Sequence, residues 1–222
     1  DDSALITQWH SLHFTLGLYP SVLATFGVTN ASAFVYQSNV HIYGDGPTSV
    51  IYESTIDHNA GVFCAYHMTI GPQTTGSCEN NVIENLQIKS TRDDMLAWAG
   101  QATVMMGNCT DSGIRNCVIA RTKGYIVLGG YGSAGNYAQN SFIKDNIVKG
   151  VATQAIAIIN AVDCEVTGNR IDCRNTAAGG AVNYAIIDVE PNEALDRVDN
   201  LLIADNSLDM RDIEDGTRYP NG

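Results

Sequence analysis

The sequence predicts an all-β chain wound into a right-handed, single-stranded parallel β-helix, a solenoid in which each coil stacks its apolar strand residues on the coil before. Three observations predict it. The 222 residues are 45% hydrophobic and only 16% charged, and 21 glycines punctuate short apolar runs. That is the make-up of an all-β protein with many turns. A weak internal repeat also runs through the chain, and its period is irregular in a way that stacked strands tolerate.

The repeat is carried by residues 82–88, 113–119, 142–148, 165–171 and 202–208. Each stretch fits one frame: a branched apolar residue, two polar or small residues, a pivot, any residue, and a closing apolar residue. The first apolar positions are Ile83, Ile114, Ile143, Val166 and Ile203. The pivots are Leu86, Cys117, Asn146, Asn169 and Asn206, and the closing positions are Ile88, Ile119, Val148, Ile171 and Leu208. Successive pivots lie 31, 29, 23 and 37 residues apart. A leucine-rich or helical solenoid would hold its period nearly constant, whereas in a β-helix only the strands stack and the loops between them can grow. Val and Ile at spacings of two or three residues are strand chemistry. An inward Asn at a bend pairs its amide with the coils above and below. Asn146, Asn169 and Asn206 are therefore expected to form a ladder that satisfies backbone groups there.

A second strand is expected after each pivot, at 94–100, 124–130, 154–160 and 184–190. Aligned, these place Ala97, Val127, Ala157 and Ile187 at one position. Trp98, Leu128, Ile158 and Asp188 fall at the next, which faces the other way. Trp98, Leu128 and Ile158 then form an outward apolar stripe, readable as a sugar platform, as the seam of a homotrimer, or as a surface under the loop at 129–140. An earlier coil lies at 39–54, where Ile42 and Asp45 fit the frame. At the start of the chain, Asp1, Asp2 and Ser3 cap a short amphipathic helix with Leu5, Trp9 and Leu12 on one face, suited to covering the open end of the solenoid. Residues 1–222 read as one domain.

Charge narrows the partners. Twelve Lys and Arg against 24 Asp and Glu leave a net charge of -12. Such a surface repels phosphate backbones and anionic lipid, which argues against nucleic acid and membrane. It also repels an anionic polysaccharide unless a cation such as Ca²⁺ bridges the two. No run reaches the roughly 18 apolar residues of a membrane span, and no signal peptide is visible. The chain opens on Asp1 without Met and stops at Gly222 without a cap, so it reads as a mature form or a piece of a longer protein.

With these residues in view, the sequence resembles the pectate-lyase-like superfamily, in the branch shared by secreted polysaccharide-degrading enzymes and phage tailspikes. The opening DDSALI is similar to the start of that superfamily's capping helix. Residues 39–51, NVHIYGDGPTSVI, are similar to its first coil, and residues 185–192 with 198–208 to a phrase of its later coils. The resemblance implies the β-helix, a polysaccharide partner, and an extracellular or virion-associated location. It does not imply one reaction, because the scaffold hosts lyases, glycosidases, epimerases and inert spikes. Residues 55–58, TIDH, partly match a pectate-lyase phrase, with Thr55 in place of Trp, while that family's Arg-x-Pro-x-x-Arg phrase is missing.

Candidate chemistry begins with acids. Asp188 and Glu190 lie two apart on a strand, so both carboxylates face outward if Ile187 and Val189 face the core. Same-face neighbours on a strand span about 6.5–7 Å, within the roughly 5–9 Å that separates the two carboxyls of a glycosidase. The plain alternative is a solvated outer face. Asp93 and Asp94 are the next catalytic candidates. With Asp163 and Asp188 they would make a carboxylate row able to bind Ca²⁺ or act as acid and base. Trp98, Arg92, Lys123 and Arg174 are the candidate substrate-binding residues. Arg211 shares the recurrence of the three cations just after each strand, and paired structural charge is their alternative reading.

Six cysteines show no Cys-x-x-Cys spacing, which argues against zinc. Cys78 and Cys109 each lie eight residues before a pivot and should stack, either as core thiols or as a disulfide that would favour secretion. Cys117 is itself a pivot, Cys164 and Cys173 flank pivots, and Cys64 has no register. Of His10, His13, His41, His58 and His67, only His58 beside Asp57 suggests a site, and the sequons at 30–32 and 108–110 decide nothing. The expected function is carbohydrate binding with cleavage of a glycosidic bond. A structural spike or adhesin module is the alternative, and a Ca²⁺-dependent lyase is a third reading.

Overall fold

The computed structural model describes residues 33–35, 38–46, 51–54, 68–70, 77–90, 104–120, 126–129, 137–149, 155–172, 186–191 and 194–209. Among these there are strands and no helix; the expected N-terminal capping helix lies outside them. The strands assemble into four sheets, each parallel throughout, and successive repeats of the chain add one strand to each sheet in the same order. Sheet 1 joins Ala33–Val35, Met68–Ile70, Val104–Met106, Ile126–Leu128, Ile156–Ile158 and Ile187–Val189. Sheet 2 joins Cys78–Glu79, Cys109–Thr110, Ala138–Gln139, Ala161–Val162 and Val198–Asp199. Sheet 3 joins His41–Tyr43, Val82–Glu84, Gly113–Arg115, Phe142–Lys144, Glu165–Thr167 and Leu202–Ala204. Sheet 4 joins Ile51–Ser54, Gln87–Ser90, Val118–Ala120, Ile147–Lys149, Arg170–Asp172 and Ser207–Asp209. All-β structure with parallel sheets built this way is compatible with a parallel β-helix.

The frame read from sequence sets the register. In sheet 3, Ile42, Ile83, Ile114, Ile143, Val166 and Ile203 pair in one column. In sheet 4, Ile88, Ile119, Val148, Ile171 and Leu208 pair in another. Ile83, Ile114, Ile143 and Val166 are buried in the core. The last rungs are not: Ile203 is 42% and Leu208 51% exposed, because no further described strand lies beyond them. Asp45, expected to take an inward pivot position, is likewise exposed.

The bends explain why the strands are so short. Between sheets 2 and 3 the turning residue is Asn39, Asn80, Asp111, Asn140, Asp163 or Asn200, with φ between 48° and 63°. Between sheets 3 and 4 it is Asn85, Asn116, Asp145, Gly168 or Asp205, with φ between 50° and 68°. A single left-handed residue turns the chain sharply, and Asn and Asp accept that conformation better than any residue but Gly. Gly168 has a second reason: a Cβ there would stand 2.2 Å from Asp145 Oδ1.

Each bend leaves main-chain amides outside the strand ladders, and side chains pair them. The amides of Cys117, Asn146 and Asn169 donate to Oδ1 of Asn146, Asn169 and Asn206, each at 3.0 Å. Nδ2 of Asn146, Asn169 and Asn206 donates to the carbonyls of Ile114, Ile143 and Val166 at 3.1, 2.9 and 2.8 Å. This is the expected ladder. A second one was not read from sequence: the amide of Asn81 donates to Ser112 Oγ at 3.1 Å, and that of Ser112 to Ser141 Oγ at 3.4 Å.

The alignment of the second strand needs correction. The sheet 1 strand beside Ile126–Leu128 is Val104–Met106, so residues 94–100 do not hold the place assigned to Ala97 and Trp98. Ala157 pairs with Asp188, one residue on from Ile187. The faces are also reversed: Leu128 and Ile158 lie in the core, while Val127 and Ala157 alternate with them and face outward. Two of the three residues of the expected apolar stripe are therefore core residues, and the third, Trp98, lies outside the described residues. The physical cause is that both strands are buried at all three positions, so neither face carries the polar residues that would reveal its phase.

Two outcomes test this packing. Ile143→Ala should cost about 2–5 kcal/mol in denaturant unfolding, and Ile203→Ala clearly less, because Ile203 fills no closed space. Asn169→Ala should cost about 1–3 kcal/mol by orphaning the Asn146 amide. Equal losses at 143 and 203 would refute the stacked core.

Candidate functional site

Asp188 is the middle residue of the last strand of sheet 1, and Glu190 follows where the strand ends. Ile187 packs against the core, so strand alternation turns Asp188 outward, as expected. Its register neighbours in the outward column are Ala157 and then Val127, and both are buried. Asp188, itself half-buried, thus follows three apolar members of its column, Met105, Val127 and Ala157. The amide of Glu190 donates to the Ile158 carbonyl at 2.9 Å, which ties the residue after the strand to the preceding repeat.

The two carboxyls meet. They share a hydrogen bond, and the Glu190 carboxyl is pushed above the ordinary carboxylate range, first by loss of solvent and then by the charge and hydrogen bond of Asp188. Crowding alone was expected to raise one pKa, whereas loss of solvent comes before the Asp188 charge among the causes here. The spacing differs from expectation: strand geometry alone suggested about 6.5–7 Å, whereas the side chains converge to hydrogen-bond contact. A carboxyl pair of this kind holds a proton more tightly than either acid alone, and so can deliver one to a leaving oxygen.

Asp93, Asp94, Arg92, Trp98, Lys123, Arg174, Arg211 and His58 lie outside the described residues. Asp163, expected in the same carboxylate row, sits at the bend between sheets 2 and 3, where its Oδ1 accepts from Asn200 Nδ2 at 2.7 Å. It is part of a turn ladder. Among the described residues, no group of three or more His, Cys, Asp or Glu could hold a metal ion. Two carboxyls alone fall short of the six to eight oxygens that Ca²⁺ takes.

The described thiols are structural. Cys78, Cys109, Cys117 and Cys164 are free and buried. Cys78 and Cys109 pair in register as expected but form no disulfide, which overturns that alternative and the argument for secretion attached to it. Burial raises the pKa of Cys78 and Cys109, and pushes Cys117 up to about 12 and Cys164 to about 11. Such thiols are protonated and unreactive at neutral pH. Cys64 and Cys173 lie outside the described residues.

Sequence reasoning missed one group. Outward residues of sheet 3 form ion pairs across the repeats: His41 Nε2 with Glu84 Oε1 at 2.9 Å, Arg115 with the same carboxylate, and Lys144 with Glu165. The signal was available, since these residues directly flank the inward Ile or Val of the frame. Comparison of the chain with protein-family models, with curated proteins and with solved structures gave no match.

The raised pKa of Glu190 has a signed consequence. The folded state binds the proton more tightly than the unfolded chain, so stability falls as pH rises from the ordinary carboxylate value through the raised one. Glu190→Gln should therefore raise the melting temperature at neutral pH, on the order of 1–2 °C for an exposed pair. At a pH below both values it should change little. A loss of stability at neutral pH would show that the pair is not repulsive.

Proposed function

We propose that the chain is a right-handed parallel β-helix related to the pectate-lyase-like superfamily, that it binds a polysaccharide, and that it cleaves a glycosidic bond at Asp188 and Glu190. The observation that carries the reading is the pair of touching carboxyls on an outward strand position, with Glu190 holding its proton above the ordinary carboxylate range. In this reading Glu190 is the general acid that protonates the leaving glycosidic oxygen. Asp188, ionised, faces the positive charge that develops on the sugar, as nucleophile or as base for a water. Glycosidase carboxyls flank the bond at roughly 5–9.5 Å, so the sugar must enter between the two and replace their mutual hydrogen bond with one from Glu190 to the leaving oxygen. Asp93 and Asp94 stand next in line for the acid and base roles, with Trp98, Arg92, Lys123 and Arg174 as sugar contacts. An extracellular or virion-associated setting follows from a polysaccharide substrate.

A second reading, a non-catalytic spike or adhesin module with homotrimeric assembly, draws on a different observation. Ile203 and Leu208 of the last described repeat are exposed although they occupy core columns, and Leu202 beside them is exposed as well. An apolar surface of that kind suits a protein contact.

Turnover decides between these readings. Asp188→Asn and Glu190→Gln should each lower kcat on a cleaved polysaccharide by about 10²–10⁴-fold, with circular dichroism unchanged. For a Ca²⁺-dependent lyase, chelation should abolish activity and added Ca²⁺ restore it. Unchanged turnover in both variants would remove the pair from the mechanism, and absence of cleavage across a polysaccharide panel would favour the spike.

A further inference from the structure

The outward face of sheet 3 sets aromatic rings beside paired charges. Each strand turns two side chains outward, on either side of the inward Ile or Val column. One outward row runs Tyr43, Glu84, Arg115, Lys144, Thr167 and Ala204. The other runs His41, Val82, Gly113, Phe142, Glu165 and Leu202. Tyr43 is 68% exposed and lies beside the His41 ring, with centroids 5.3 Å apart and planes tilted by 49°. Phe142 leans across the neighbouring repeat: a Cβ on Gly113 would stand 2.4 Å from its ring, so only glycine leaves that space. The two aromatic residues are three strands apart, about 14 Å at the usual strand spacing.

Between and beside these rings, the charged groups are paired with one another. Glu84 accepts from Arg115 and from His41, and the Arg115 guanidinium holds its carboxyl below the ordinary range. Lys144 pairs with Glu165 and lies 5.7 Å from the Phe142 centroid. Each cation on the face already has a carboxylate, so no unmatched positive charge remains to attract an anion, and the chain as a whole carries -12. Rings set among pre-oriented polar groups suit a ligand with an apolar CH face and many hydroxyls, and with no net charge.

We propose that the outward face of sheet 3, from Tyr43 across Glu84 and Arg115 to Phe142, binds an extended strand of uncharged polysaccharide running across the repeats. This rests on the polysaccharide reading above and adds to it a substrate class and a gripping surface on a different sheet from Asp188. Tyr43 and Phe142 each carry a sugar ring. Glu84 and Arg115, already held by each other, take hydroxyls with little ordering cost.

Electrophoresis of the 222-residue chain through native gels tests this, with xyloglucan, galactomannan or dextran as neutral probes and polygalacturonate or alginate as anionic ones. At least one neutral polysaccharide should retard the protein. Tyr43→Ala should weaken that retardation roughly tenfold without lowering the melting temperature. Phe142→Leu should weaken it while Phe142→Tyr keeps it. Retardation by anionic probes alone, retardation unchanged in both Tyr43→Ala and Phe142→Leu, or no retardation by any probe would each overturn the proposal. Cleavage that persists while Tyr43→Ala binds normally removes this face and leaves the cleavage site standing. Binding through Tyr43 without cleavage does the reverse.

Discussion

The amide left over at each bend is the constraint on which the rest depends. Where the chain turns from sheet 3 to sheet 4, the pivot residue sits outside both strand ladders and its N–H must find an acceptor in a buried place. In the later repeats that acceptor is the Asn side chain one repeat on, and the same amide returns a hydrogen to a sheet 3 carbonyl. The arrangement requires successive repeats to stand in register at the bend. Once they do, the Ile and Val columns on either side are aligned as well, because they lie at fixed distances from the pivot.

Register in turn decides what reaches the surface. A strand residue faces in or out according to its offset from the nearest bend, whatever the length of the preceding connection. Asp188 is outward for this reason, and its neighbours Ala157 and Val127 are determined by the pairing of sheet 1 rather than by closeness in sequence. The same rule turns His41, Glu84, Arg115 and Lys144 to one face although 103 residues of chain separate the first from the last.

How much could be read beforehand follows from the same physics. Sheets 3 and 4 were legible because several of their short strands set one apolar residue between polar ones, as Glu165–Thr167 and Arg170–Asp172 do, and because Asn at three pivots has a chemical reason to be buried. Sheet 1 was legible only in part: Val127 was rightly aligned with Ala157 and Leu128 with Ile158, but their faces were inverted and the strands on either side misplaced. Ile126–Leu128 and Ile156–Ile158 are apolar throughout and buried on both sides, so an alignment could slide by one residue or invert without penalty. In the last strand Ile187 packs against the core as read, whereas Val189, read as inward, is exposed. The left-handed Asn and Asp positions lay within or just before the quoted stretches, at Asn85, Asn116, Asp145 and Asp205 and again at Asn80, Asp111, Asn140 and Asn200. They were passed over because a polar residue at a surface turn looks like ordinary solvated chain. The hydrogen bond between Asp188 and Glu190 could not be read at all, since backbone spacing does not fix where two flexible acids point.

The Asn ladder also has a direction. From Cys117 to Asn146, Asn169 and Asn206, every rung donates its main-chain hydrogen toward the later repeat. The amide dipoles therefore add along the stack, and each rung polarises the next. At Asn206 the row ends on an N–H with no partner among the described residues. Each amide in the row is thereby committed to the repeat that follows it, so the order of the repeats along the stack could not be reversed without breaking every rung.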